Sequence, residues 1–300
     1  MTADDPTAPP PGARLGRVAE LRIYPIKSLG GVRVDRATVG DRGLAHDRRW
    51  MLVDDDGVFY TQRALPRMAL AHATPRDGGV RVTAPGLAAL ELAPPSDDAP
   101  RRRVQVWDDV VDAQTYPTSV DAWFARVLGR PCHLVYMPDD VIRPVDPRYA
   151  GPDDRAAFSD AFPVLLVSRE SLADLNARLA ERGVGAVGVE RFRPNVVVED
   201  TGAPFAEDAW GAVTLVPAVI PAKAGIAGMT GVTLRVVKPC ARCVLTTVDP
   251  ETGRPSVRGE PLRTLATYRT RGSKVLFAQN ALVVRGGEVA VGADVVSATL

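Results

Sequence analysis

Residues 238–253 read KPCARCVLTTVDPETG and hold two of the three cysteines in the chain, Cys240 and Cys243. Four readings fit such a pair: a zinc clip, a redox dithiol, a single metal-ligating thiolate, or two inert core residues. A closed zinc site usually takes four ligands. Cys132 is the only other cysteine, so zinc would need histidines gathered from far apart, among His46, His72 and His133. A redox dithiol sits best at a helix N-terminus, where the dipole lowers a thiol pKa. Here VLTTV follows directly, and its β-branched residues favour a strand. Residues three apart on a strand face opposite sides, so an extended segment presents one cysteine to any one site. That spacing favours a single working thiolate. Two small buried hydrophobes remain compatible with it. Arg242 lies between the cysteines, although an adjacent strand residue points away from its neighbour.

Outward from this stretch, the 300 residues imply about two domains, with 46% hydrophobic and 24% charged residues. A net charge of +1 gives no electrostatic reason to expect nucleic acid or membrane as a partner. The run Arg101–Arg103 reads as a solvated strand end. Three cysteines cannot build a disulfide framework, which points to a reducing, cytoplasmic setting. Residues 1–16, MTADDPTAPPPGARLG, lack the basic start and apolar core of a signal peptide and read as a disordered leader. The apolar stretch 212–229 is interrupted by Pro217, Pro221 and Lys223, so it is a poor membrane span.

Residues 17–137 read as many short strands, cut by Pro25 and Gly30–Gly31, with a hairpin turning at Asp54–Gly57. That acidic turn lacks the alternating oxygen ligands of a calcium loop. Residues 138–158, rich in proline and aspartate, read as a linker or long surface loop. In 159–300, AFPVLLVS is a buried strand. RESLADLNARLAER is a helix capped by Ser168, with Leu172, Leu175 and Leu179 on one face. RFRPNVVVED starts a further strand, the chain from WGAVTLVP to Thr247 is largely β, and PLRTLATYRT is a short helix. The fold class is mainly β (α+β): an N-terminal β-barrel-like unit and a second β-barrel with a few helices. GVGAVG (183–188) matches a dinucleotide fingerprint only in letters, because a helix precedes it and a strand follows; Gly183 is better read as a helix C-cap. The three histidines form no pair and read as ordinary polar or core residues.

Two stretches, KPCARCVLTTVDPETG and RFRPNVVV, closely resemble the signature segments of the MOSC family, the molybdenum cofactor sulfurase C-terminal domain. The resemblance extends to amidoxime-reducing and hydroxylaminopurine-reducing members. YPIKS and HDRRWMLVDDDG resemble that family's N-terminal β-barrel domain, and SRESLADLNARL, EPLRTLATYR and FAQN follow in family order. The resemblance implies a molybdenum–molybdopterin cofactor with Cys243 as the protein ligand to the metal, and Cys240 as a neighbour in the wall. It also implies cofactor contacts from Lys27, Ser28, Arg48, Arg193, Asn195, Ala241 and Arg242, with Asn280 lining the metal. Arginine suits such a ligand through its planar donor fork. Ala241 stands where mitochondrial members have serine, so only its backbone can bond there. The implied activity is reduction of hydroxylamines, amidoximes and N-hydroxylated bases to amines. The alternative is a carrier of cofactor or sulfur without turnover. No cysteine follows Cys243 and a 2Fe–2S cluster takes four, so a separate ferredoxin-like donor with its reductase is the expected electron source.

Overall fold

Seven strands close into a ring in the computed structural model, which describes residues 9–217, 231–256 and 258–300. They are β1 (Arg14–Ile23), β2 (Val164–Ser168), β3 (Val196–Glu199), β4 (Ala212–Val216), β5 (Val232–Arg242), β6 (Lys274–Arg285) and β7 (Asp294–Ser297). Around the ring the order is β2–β3–β1–β7–β4–β5–β6, and β6 pairs with β2 to close it. Every pairing is antiparallel except β2–β3. Among the described residues there are three α-helices: α1 (Thr118–Leu128), α2 (Arg169–Glu181) and α3 (Leu262–Ala266). The parallel pair follows from α2, because parallel neighbours need a crossover connection. Alternate side chains fill the barrel, among them Val18, Leu21, Leu166, Val213, Leu234 and Val295.

A four-stranded antiparallel sheet lies outside the ring: Trp50–Val53, His133–Tyr136, Asp109–Thr115 and Arg101–Val106, in that order. Trp50, Leu52, Leu134 and the α1 residues Phe124 and Leu128 share one apolar cluster there. The strand Gly287–Ala290, from the C-terminal half, pairs with Arg36–Gly40 from the N-terminal half. β1 also comes from the N-terminal half, yet it lies between β3 and β7. The halves are therefore interleaved through two sets of backbone hydrogen bonds.

Three local readings of the sequence need correction. β1 begins at Arg14, inside the stretch read as leader, because Gly12 N–H donates to Ser297 O and Ser297 N–H to Ala13 O, both at 2.8 Å. Residues 1–8 of that leader lie outside the described residues, as do Pro221 and Lys223. VLTT (244–247) is a 3₁₀ turn rather than a strand. The Thr246 and Thr247 hydroxyls donate to the carbonyls of Cys243 and Val244, three residues back, which stabilises a turn against β propensity. Residues 138–158 carry no named helix or strand, as their composition implies, but they are not a surface loop throughout. Arg143, only 3% exposed, donates to Ala157 O at 2.8 Å, Ser159 O at 2.6 Å and Asp109 Oδ2 at 2.7 Å. Those bonds tie the segment down beside Phe158.

The cap of α2 is more elaborate than its sequence signal. Ser168 Oγ accepts from Ser171 N–H, as expected. Both hydroxyls also hold the buried Glu207 carboxylate, at 2.8 and 2.7 Å, and Ser168 N–H donates to it at 3.0 Å. Glu207→Ala strands these donors in a dry site and is expected to cost about 3 kcal/mol. Thermal unfolding should then shift down by roughly 5–10 °C, with Glu207→Gln intermediate. Circular dichroism melts of the two variants check this.

Candidate functional site

β5 and β6 carry the cysteine segment against the barrel's end, and their pairing is irregular where it matters. Register shifts fall between Val236 and Lys238 and between Pro239 and Ala241. A bulge adds a residue and resets side-chain alternation. Cys240 and Cys243 consequently line one cavity of about 250 Å³ instead of facing opposite ways. Cys243 is extended, with φ −133° and ψ −179°, and leads into the 3₁₀ turn. Arg242 turns back to donate to Cys240 Sγ at 3.0 Å and to Phe192 O at 2.8 Å. Both thiols are free.

The opposite wall comes from the N-terminal half. Lys27 is held by its backbone N–H on Trp50 O, at 2.8 Å. Its ammonium is 4% exposed and donates to Phe158 O at 2.7 Å and Asp160 Oδ1 at 2.5 Å. Burial lowers the Lys27 pKa to about 8, against the opposing pull of Asp160. Burial also works to raise the pKa of Asp160. The charge of Lys27 and its hydrogen bond outweigh this, so the carboxyl lies well below its usual range. Asp160 is still open to solvent at the cavity, its side chain 59% exposed.

Two guanidiniums lie over the ring of Tyr24. Arg48 Cζ lies 4.5 Å and Arg193 Cζ 4.3 Å from its centroid, the geometry in which the ring's negative faces offset two like charges. Burial, aided by the nearby charge of Arg48, lowers the Arg193 pKa to about 10. Arg48 donates to Asp47 Oδ2 at 2.6 Å and Arg193 O at 3.0 Å. Asn195 is nearly fully buried, at 1% exposure, and its amide is largely committed. Oδ1 accepts from Arg48 and from Leu165 N–H, and Nδ2 donates to Arg22 O, each at 3.2 Å. Asn280 pairs in register with Lys238 on one side and Leu165 on the other. Ser28, Arg48 and Arg193 all have positive φ, at 64°, 48° and 58°. Left-handed backbone at non-glycine residues is costly and concentrates where side chains must be aimed.

All nine residues singled out from the sequence line this one cavity: Lys27, Ser28, Arg48, Arg193, Asn195, Ala241, Arg242, Cys243 and Asn280. Sequence reading missed Ser159, Asp160, Arg63 and Lys238, which also line it. A buried lysine needs a counter-ion, and the SDAF segment before β2 supplies it; only the tertiary approach of residues 27 and 160 reveals the pair. The histidines play no part here. His46 stacks on Trp50, with ring centroids 6.4 Å apart, and His133 bridges Asp121 and Asp55 elsewhere.

A β-barrel whose end carries a cationic, thiol-lined cavity is the class of protein these features define. The chain belongs to the MOSC family. It matches the MOSC N-terminal beta barrel domain over residues 15–131 and the MOSC domain over residues 153–296. It is 34% identical over 271 residues to mitochondrial amidoxime-reducing component 1 of Danio rerio, covering 87% of this chain and 77% of that one. The human protein of that name is 32% identical over 299 residues, covering 93% and 82%. The molybdenum cofactor sulfurase of Solanum lycopersicum is 31% identical over 279 residues, covering 87% of this chain but 32% of the sulfurase.

The charge on Lys27 has a pH consequence. A lysine with a pKa of about 8 is cationic below that value and neutral above it. Anion binding in the cavity should therefore weaken as pH rises from 7 to 9, by about tenfold for one charge-assisted hydrogen bond. Sulfate, whose own charge is constant over this range, is the probe. Calorimetric titrations should show the fall in the native protein and a flat profile in Lys27→Arg.

Proposed function

We propose that the cavity holds a molybdopterin cofactor with Cys243 as the protein's ligand to molybdenum. The loaded protein then reduces N-hydroxylated compounds, R–NH–OH + 2 e⁻ + 2 H⁺ → R–NH₂ + H₂O. The observation that carries this reading is the convergence of a free thiol, a buried lysine and several half-buried guanidiniums on one cavity. The donor set fits such a group. Ser159 Oγ and Arg242 Nε are buried without partners among the described residues, and a buried polar atom is costly unless a ligand satisfies it. When bound, the cofactor supplies two-electron chemistry at a soft metal centre, which a thiolate suits.

The chain's own residues do the remainder. Lys27, Arg48 and Arg193 offer charge to a phosphate, and Ser28 and Ser159 offer hydroxyls. Arg193 and Arg48, stacked on Tyr24, present rigid donor forks to a polar ring system. Asn195 holds Arg48 in place through its amide oxygen. Asn280 offers an amide beside the cysteines. Lys27, its pKa lowered to about 8 by burial, holds a proton at Nζ against Asp160. Amidoxime-reducing relatives at modest identity support the reductase reading. Electrons come from a ferredoxin-like carrier and its reductase. All three cysteines are free, which suits a reducing compartment, and the reading places the enzyme in the cytoplasm. Among the described residues, no helix is long and apolar enough to cross a membrane.

Cys243→Ala is expected to lose bound molybdenum and all reduction of benzamidoxime, while Cys240→Ser keeps a substantial part of both. Metal analysis and a reductase assay check this. Equal loss in both variants would show that the two sulfurs act together. Molybdenum retention without turnover of any N-hydroxylated compound would make the protein a cofactor carrier. The loaded protein should accept electrons from an artificial one-electron donor but stay inactive with NADH or NADPH alone. Rapid turnover with NADH and no added protein would overturn the separate-carrier reading.

A further inference from the structure

A second cavity, of about 350 Å³, adjoins the first and shares two wall residues with it, Arg193 and Leu245. Its size is within the roughly 300–1,000 Å³ of small-molecule sites. The charges in its walls are mostly satisfied already. Arg22 pairs with Glu20 at 2.9 Å and lies 3.7 Å from Glu190, and Arg191 pairs with Asp249 at 2.7 Å. Apart from the exposed Glu251 carboxylate, what remains without partners among the described residues is neutral. Gln62 is 5% exposed, lines the cavity, and its amide makes no hydrogen bond among the described residues. Tyr24 Oη is buried without a partner among the described residues. His72 reaches Gly31 O only at 3.4 Å through Nδ1, and its other ring nitrogen has no partner among the described residues. Leu70, Pro85 and Val248 supply apolar wall between them.

The Gln62 side chain is nearly buried, but its amide atoms stay accessible at the cavity wall, where they are free to donate to and accept from a ligand. The group that best satisfies them is another neutral amide-like edge, carrying a donor and an acceptor side by side. An anionic ligand would meet no unpaired counter-charge here except Arg193, which the first cavity also uses, and a cationic one only the exposed Glu251 carboxylate. Apolar wall residues beside a free amide, with most wall charges already paired, suit a planar body with a single hydrogen-bonding edge.

We propose that this second cavity is a specificity subsite. It takes the neutral, planar, amide-bearing body of the substrate, read by Gln62, while the N–O end of the same molecule passes Arg193 and Leu245 into the cysteine-lined cavity. The inference rests on the reading of that first cavity as the reducing site. It requires no change in the chemistry and assigns Gln62 to binding alone.

Two measurements on the molybdenum-loaded protein and its Gln62→Leu variant test this, with Gln62→Met as a variant that keeps side-chain length. The first is calorimetric binding of benzamide, an unreactive neutral amide. The native protein should bind it about tenfold more tightly than either variant, the effect of one well-made hydrogen bond. The second is steady-state reduction of 4-carbamoylbenzamidoxime against hydroxylamine, which has no body to place. KM for the amide-bearing substrate should rise about tenfold in both variants with kcat little changed, and hydroxylamine kinetics should not move. Equal benzamide binding in all three proteins would overturn the subsite, as would loss of molybdenum from the variants, which would give the cavity to the cofactor. Gln62-dependent benzamide binding in a protein that reduces nothing would instead leave the subsite standing and remove the reductase reading.

Discussion

Closure of the seven-stranded ring is the constraint from which the site follows. β1 supplies one stave of a barrel otherwise built from residues 164–297, and its end leads directly into Tyr24 and Lys27. Without that stave, the lysine and the Arg48 guanidinium would belong to one unit and the cysteines to another. With it, the cavity walls are fixed by backbone ladders on both sides. Asn195 tightens the same junction, since its single amide bonds to Arg22 of β1, to Leu165 of β2 and to Arg48. A side chain with three structural partners is a poor candidate for free contact with a ligand and a good one for aiming its neighbours.

The electrostatics of the cavity are set by scarcity of counter-charge. Lys27, Arg48, Arg193 and Arg242 converge, while Asp47 and Asp160 are the acids bonded directly to them. The ring of Tyr24 lessens the repulsion between two of the guanidiniums. The depressed pKa values of Lys27 and Arg193 record what burial costs them. Such an arrangement is unfavourable for folding alone. Its natural complement is an anion, and Asp160 at the solvent edge acts as a partial substitute.

How much of this was legible in the sequence differs from element to element. The helix after Ser168 and its leucine face were readable, because capping and a 3.6-residue period are local signals. The mainly β character was readable from short alternating runs. The exchange of β1 between halves was not, since nothing in RVAELRIYP names its partners 180 and 280 residues away. At the site, residue types in family order picked out lining residues from both halves of the chain. Strand alternation, by contrast, misjudged Cys240, because a bulge leaves no clear mark in KPCAR. Asp160 escaped for a related reason: its meaning depends on a lysine over a hundred residues earlier. Gln62 gave no signal, as a buried glutamine looks like a surface one until its surroundings are known.

The position of β1 also orders events during synthesis. Arg14 pairs with Val296 and Arg17 with Asp294, so β1 cannot take its final place until β7, some 280 residues later, has been made. Contacts of such long sequence separation form slowly, because loop-closure entropy must be met before they contribute. Until then the segment bearing Lys27 has no fixed relation to the cysteines, and no complete pocket exists. Any ligand that needs both walls can therefore dock only after β7 has been made and β1 has joined it.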